Sequence, residues 1–153
     1  MKEIAGQLNA AGTKMAIVVS RFNSFFTEQL VKGAADCFVR HGGRDEDLTL
    51  VRVPGANEIP TVAQKLAASG TFDAVVALGA VIQGATPHAD LINGTVARSL
   101  AKIALDSGVP VLNGIVCAQN LEQAIERAGT KQGNKGWDAV MAAIETVSVL
   151  KAI

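Results

Sequence analysis

The chain has 153 residues, 49% of them hydrophobic and 18% charged, with 14 Lys and Arg balancing 14 Asp and Glu. That balance excludes an intrinsically disordered chain, which is poor in apolar residues and rich in net charge, and it leaves no basic footprint for nucleic acid. The length fits one domain spanning residues 1–153, and so few charges at zero net charge point to a surface partly covered by other subunits.

Five Phe, one Trp and no Tyr leave the core to Ala, Val, Ile and Leu. No apolar run approaches the roughly 18 residues that span a bilayer. The opening MKEIAGQLNAAG has no apolar signal core, so neither a membrane nor secretion is expected. Cys37 and Cys117 stand eighty positions apart and frame neither a disulfide scaffold nor a metal site. A reducing cytoplasm is the expected compartment.

Residues 1–14 precede the first strand, and Ile4 to Leu8 read as an N-terminal extension or an extra edge strand, with a neighbouring subunit as one partner. Met15 to Ser20 (MAIVVS) is a short β-branched run, as a buried parallel strand requires. Thr27 to His41 carries Leu30, Ala34, Cys37 and Phe38 at helical spacing and stops at Gly42-Gly43. Leu48 to Val53 is a second strand closed by Pro54-Gly55, and Ile59 to Ala68 a second helix ended by Ser69-Gly70. Ala74 to Ala80 is the third and most apolar strand. The spacing predicts a long helix over Thr86 to Ser107, with Ile92, Val96, Leu100 and Ile103 on one stripe. A fourth strand over Val109 to Val116, a short helix over Leu121 to Ala128 and a last helix marked by Trp137, Val140, Met141, Ile144 and Val147 complete the chain. Strands separated by helices imply parallel pairing with right-handed crossovers. The expected fold is α/β, a flavodoxin-like open parallel sheet flanked by helices on both faces.

In such sheets ligands bind beyond the carboxyl ends of the strands. The rule selects Ser20 to Asn23, Pro54 to Glu58, Gly79 to His88, and the end of the fourth strand near Asn113-Gly114. In the third segment Thr86 reads as an N-cap and Pro87 as the first helical residue, which leaves free N–H groups as an anion site beside His88. A well-capped helix with a surface His is the plainer reading, but an imidazole is the side chain best suited to proton transfer near neutral pH. Glu58 is either a first-turn charge or an acceptor for ligand hydroxyls, and Phe22 either caps the core or stacks on a planar ligand. Arg127 is either a dipole partner for its helix or a phosphate clamp. Lys131 and Lys135 lie in GTKQGNKG, which lacks the spacing and preceding strand of a Walker loop. Cys37 reads as core, and His41 as a dipole partner at the end of its helix.

The stretches SRFN (20–23), VPGANEIP (53–60), LGAVIQGATPH (78–88) and EQAIERAGTKQGNKG (122–136), in this order, resemble 6,7-dimethyl-8-ribityllumazine synthases over nearly the whole chain. The resemblance implies condensation of 5-amino-6-(D-ribitylamino)uracil with 3,4-dihydroxy-2-butanone 4-phosphate, the penultimate step of riboflavin biosynthesis, with no metal or organic cofactor. It implies that Phe22 stacks on the pyrimidine and that Ala56, Asn57 and Glu58 hold the uracil substrate, Glu58 on the ribityl hydroxyls. Ala80, Val81 and Ile82 run along the same ligand. Ala85, Thr86 and Arg127 hold the phosphate, with Arg127 from a neighbouring subunit. His88 moves protons, and Lys135 adds positive charge. The family's pattern also implies a homopentamer, with icosahedral shells of pentamers in members that share this GTKQGNKG connection. The chain departs from that pattern at Asn57, Gln83, Ala89 and Asn113, where the family usually has an aromatic, Arg, Phe or Tyr, and Phe. These changes make the pocket wall smaller and more polar. A weakened enzyme kept as a self-assembling shell, and a flavin-binding module, therefore stand as alternatives on the same fold.

Overall fold

The first strand, β1 (Met15–Ser20), is buried along its whole length. A strand buried on both faces needs neighbours on both edges and helices above and below, and it has both. β1 pairs in parallel with β2 (Leu48–Val53) on one side and β3 (Ala74–Ile82) on the other, and β3 pairs with β4 (Val111–Ala118), giving the order β2-β1-β3-β4. The result is the parallel flavodoxin-like α/β sheet expected from the alternation of elements. The structure, a computed structural model, describes residues 1–84, 87–129 and 133–153.

The strand period of two divides the core into two layers. Ile17, Val19, Val76 and Leu78 face α1 (Ser24–Arg40) and α5 (Lys135–Ala152), where Leu30, Phe38, Val140 and Ile144 meet them. Ala16, Val18, Val75 and Ala77 face α2 (Ile59–Ala68) and α3 (His88–Ser107), and Val96, Leu100 and Ile103 fill that side. The last short helix, α4 (Leu121–Arg127), packs on the α5 side through Ala124.

Several boundaries differ from the sequence expectation, each for a local reason. α1 begins at Ser24, ahead of Thr27, because the Asn23 carbonyl already accepts from the N–H groups of Phe26 and Thr27 at 3.0 and 3.1 Å. β3 runs two residues past Ala80, since Val81 and Ile82 still find partners in Cys117 and Ala118 of β4. β4 begins at Val111, not Val109: Pro110 has no N–H for the ladder, though its carbonyl accepts from Val75 at 2.9 Å. α3 begins at His88 rather than Thr86. Pro87 sits one place ahead of the first helical residue, and its carbonyl accepts from Leu91 at 3.3 Å. The proposed Thr86 cap lies outside the described residues.

Ile4 to Leu8 is not a strand within the chain. Residues 1–14 follow α5 and the base of the sheet: Gln7 donates its N–H to the Ser148 hydroxyl at 2.9 Å and Ala10 to the His41 carbonyl at 2.8 Å.

α1 and α5 meet at backbone contact. A Cβ on Gly136 would run into the Leu30 carbonyl, and one on Gly33 into the Asn134 side chain. Asn134 caps α5, its side-chain oxygen accepting from Gly136 and Trp137 at 2.8 and 3.2 Å, and its amide donates to the Gln29 carbonyl at 2.9 Å.

Candidate active site

Three parallel strands deliver their carboxyl ends side by side, and the chain turns back tightly after β1 and β2. After β1 the reversal takes only Arg21, Phe22 and Asn23. Arg21 donates its N–H to the Val53 carbonyl at 2.8 Å and Phe22 to the Pro54 carbonyl at 3.1 Å, which straps this turn to the end of β2. Asn23 has φ 61° and ψ 45°, the left-handed region that Asn tolerates better than most side chains, and its amide nitrogen donates to the Ala80 carbonyl of β3 at 2.7 Å. Phe22, between the two straps, is 71% exposed. An aromatic ring left in solvent at a strand end is poorly explained by packing and well placed for a planar ligand.

After β2 the chain makes a tight turn over Ala56–Glu58 and enters α2 with Pro60 in its first turn. Gly55 lies beneath Glu58: a Cβ there would stand 3.0 Å from the carboxylate. After β3 the chain passes Gln83 and Gly84, both exposed, and Pro87 and His88, also exposed, open α3.

These ends enclose a cavity of about 360 Å³. β1 and its turn contribute Ser20, Phe22 and Asn23, and the β2 turn contributes Gly55, Ala56, Asn57 and Glu58. β3 supplies Ala80, Val81 and Ile82 as one wall, with Gly84 beyond it, while α3 brings His88, Ala89 and Ile92. The volume falls in the usual range for small-molecule sites, and the lining is an apolar body with a few polar groups at fixed places. One ring, one carboxylate and one imidazole therefore share a pocket, although they lie far apart in sequence.

Eight residues singled out from sequence, Phe22, Ala56, Asn57, Glu58, Ala80, Val81, Ile82 and His88, are thus brought together. Ala85 and Thr86 lie outside the described residues, as does Lys131. Arg127, Lys135 and Asn113 do not line this cavity within the single chain. Arg127 is the last residue of α4, and its guanidinium donates to the Cys117 carbonyl at 2.7 Å. Lys135 is the first residue of α5. Both cations act on Cys117: burial pushes its thiol pKa up, and Lys135 and Arg127 pull it the other way. Asn113 lies exposed on the edge strand β4, its side-chain oxygen accepting from the Ile115 N–H at 3.0 Å. Of the four departures from the family pattern, Asn57 and Ala89 line the cavity.

Asn23 and Ser20 are the lining residues for which sequence reasoning offered no separate role. The signal for Asn23 was its type, since Asn is the non-glycine residue most at ease with positive φ, but a conformation is not visible in a sequence. Among the described residues no three His, Cys, Asp or Glu side chains gather as a metal site requires.

A family model described as 6,7-dimethyl-8-ribityllumazine synthase matches residues 12–151. The chain belongs to the 6,7-dimethyl-8-ribityllumazine synthase family. Curated relatives of that name align with it from end to end. The Chlorobaculum tepidum lumazine synthase is 50% identical over all 153 residues and 99% of its own length. Those of Nitratidesulfovibrio vulgaris and Prosthecochloris aestuarii are 54% and 52% identical, with 98% and 99% of their lengths covered. Family membership makes the chain an enzyme of riboflavin biosynthesis, and no helix among its described residues is long and apolar enough to cross a membrane.

Proposed function

We propose that the cavity above β1, β2 and β3 is where this lumazine synthase family member condenses 5-amino-6-(D-ribitylamino)uracil with 3,4-dihydroxy-2-butanone 4-phosphate, releasing phosphate and 6,7-dimethyl-8-ribityllumazine. The observation that carries this reading is the convergence of Phe22, Glu58 and His88 on one apolar cavity. In it the pyrimidine stacks on Phe22 and lies along Ala80, Val81 and Ile82. The ribityl chain turns toward Glu58, whose carboxylate accepts from its hydroxyls, and Ala56 and Asn57 close that end. The substrate amine attacks the ketone, phosphate leaves, and the ring closes. His88 carries protons between these steps. An amine and a ketone condense slowly unaided, so most of the acceleration comes from holding the two substrates together.

The phosphate lies against Ala85, Thr86 and Arg127. Because Arg127 and Asn113 do not line the cavity of their own chain, a second copy supplies them, Arg127 to the phosphate and Asn113 to the pyrimidine wall. Lys135 adds positive charge at the strand ends. A site shared in this way requires an oligomer. That oligomer is a homopentamer, associating further into an icosahedral shell and working in the cytoplasm without a metal or organic cofactor.

The test is product absorbance when both substrates meet the enzyme, with the uncatalysed rate subtracted. No excess over that rate at saturating substrates would overturn the enzymatic reading. Asn57 and Ala89 in the cavity wall favour one alternative, a shell with reduced turnover. That alternative predicts an intact assembly with activity near background.

A further inference from the structure

We propose that Asn23 is a positioning residue for the pyrimidine substrate: its left-handed backbone and its amide bond to Ala80 hold Phe22 over the cavity and tie the two pocket walls together. The inference rests on the reading of the cavity as the pyrimidine site.

Phe22 is 71% exposed, so packing does little to fix its ring, and the ring goes where its backbone goes. That backbone is held on both sides. On one side the N–H groups of Arg21 and Phe22 bond to the Val53 and Pro54 carbonyls at the end of β2, at 2.8 and 3.1 Å. On the other, Asn23 is the only non-glycine residue with positive φ among the described residues. This single left-handed residue turns the chain from strand into helix, its carbonyl accepting from Phe26 and Thr27 to begin α1. Its side chain bonds to the Ala80 carbonyl of β3 at 2.7 Å. Ala80 opens the wall formed with Val81 and Ile82. One side chain thus couples the Phe22 turn to the opposite wall and offsets the conformational cost of its own backbone. Such a residue sets how well the ring and wall grip a flat ligand, without touching the reacting atoms.

Substitutions separate the two parts of this role. Asn23→Gly keeps the left-handed turn accessible and removes only the amide bond. Asn23→Asp keeps the shape but places an acceptor against the Ala80 carbonyl. Asn23→Gly should raise KM for 5-amino-6-(D-ribitylamino)uracil about threefold to tenfold, the equivalent of one ordinary hydrogen bond. The kcat and the KM for the phosphate substrate should stay within about twofold. Asn23→Asp should raise the uracil KM further. Equilibrium binding of the lumazine product, followed by its fluorescence, should weaken in the same order, and circular dichroism should confirm folding.

Phe22→Ala should raise the uracil KM roughly tenfold through lost stacking. In that background Asn23→Gly should add less than about twofold, because the ring it positions is gone. Equal effects in both backgrounds, or a fall in kcat at constant uracil KM, would overturn the positioning role while leaving the pyrimidine site intact. An unchanged uracil KM in Phe22→Ala would overturn the pyrimidine reading itself, and this inference with it.

Discussion

His88 begins α3 and is exposed where it lines the cavity with Glu58 and Phe22, and chemistry at this scale is a matter of what each group can hold or move. If His88 transfers protons, His88→Ala should lower kcat by on the order of 10²-fold, the low end for general acid–base help, with both KM values little changed. A steady-state comparison with the parent chain decides it, and an unaltered kcat would remove His88 from the proton path. Arg127 donates from its guanidinium to the Cys117 carbonyl at 2.7 Å, and a guanidinium carries five N–H donors, enough to hold the phosphate proposed above as well. Arg127→Ala should therefore raise the KM of the phosphate substrate by the equivalent of roughly 1.5–3 kcal/mol in binding, the scale of a hydrogen bond to a charged group. An effect confined to the uracil substrate would mean that the role is assigned to the wrong ligand. Asn113→Phe should lower the uracil KM by restoring apolar surface, since burying a Phe side chain contributes roughly 1.5–3 kcal/mol. An unchanged KM with an altered assembly mass would place Asn113 in an assembly contact instead. The Glu28–Arg52 ion pair, by contrast, is more than a third exposed on both sides and contributes little to stability, even though it holds the Glu28 carboxyl below its ordinary range.

At the scale of elements, the joint between α1 and α5 bears most directly on the fold. Asn134→Ala removes two cap acceptances and the bond to Gln29, and should lower unfolding free energy by about 1 kcal/mol or somewhat more in urea titration. Gly136→Ala places a methyl group against the Leu30 backbone, which cannot yield as a side chain can, and should cost about 1–3 kcal/mol. A Gly136→Ala protein as stable as the parent would show that the helices can separate without loss. Within α1, burial first, then Asp138 and Asp36, pushes the Cys37 thiol from 9.0 up to about 11. The folded state then holds this proton more tightly than the unfolded chain does. The resulting stability is complete below pH 9 and is lost as pH rises toward about 11. Denaturation between these limits should show a falling midpoint, with a shallower fall in Cys37→Ala.

For the molecule as a whole, no Lys or Arg among the described residues lines the cavity, while Arg127 stands elsewhere on the same chain. Exposed Leu91, Leu121 and Phe25, at 65%, 58% and 73%, are further apolar surface that a monomer would leave in water. Light scattering should give a mass of five chains or a multiple of it. A mass of one chain at working concentration would exclude any site completed by a neighbour.

The alternation of short β-branched runs with amphipathic segments determined the fold class before any coordinate, because period-2 and period-3.6 burial are written directly in residue order. The strand-end rule then selected Phe22, Glu58, the β3 wall and His88, since a parallel sheet has only one end at which its loops can gather around a ligand. What residue order could not determine were features set by contacts between distant segments. β3 runs to Ile82 because β4 offers partners there. The Asn134 joint depends on a backbone crossing between elements more than a hundred residues apart. Asn23 is left-handed because β2 and β3 stand on either side of it and supply the carbonyls that hold the turn, a partnership that exists only once the sheet has closed around β1.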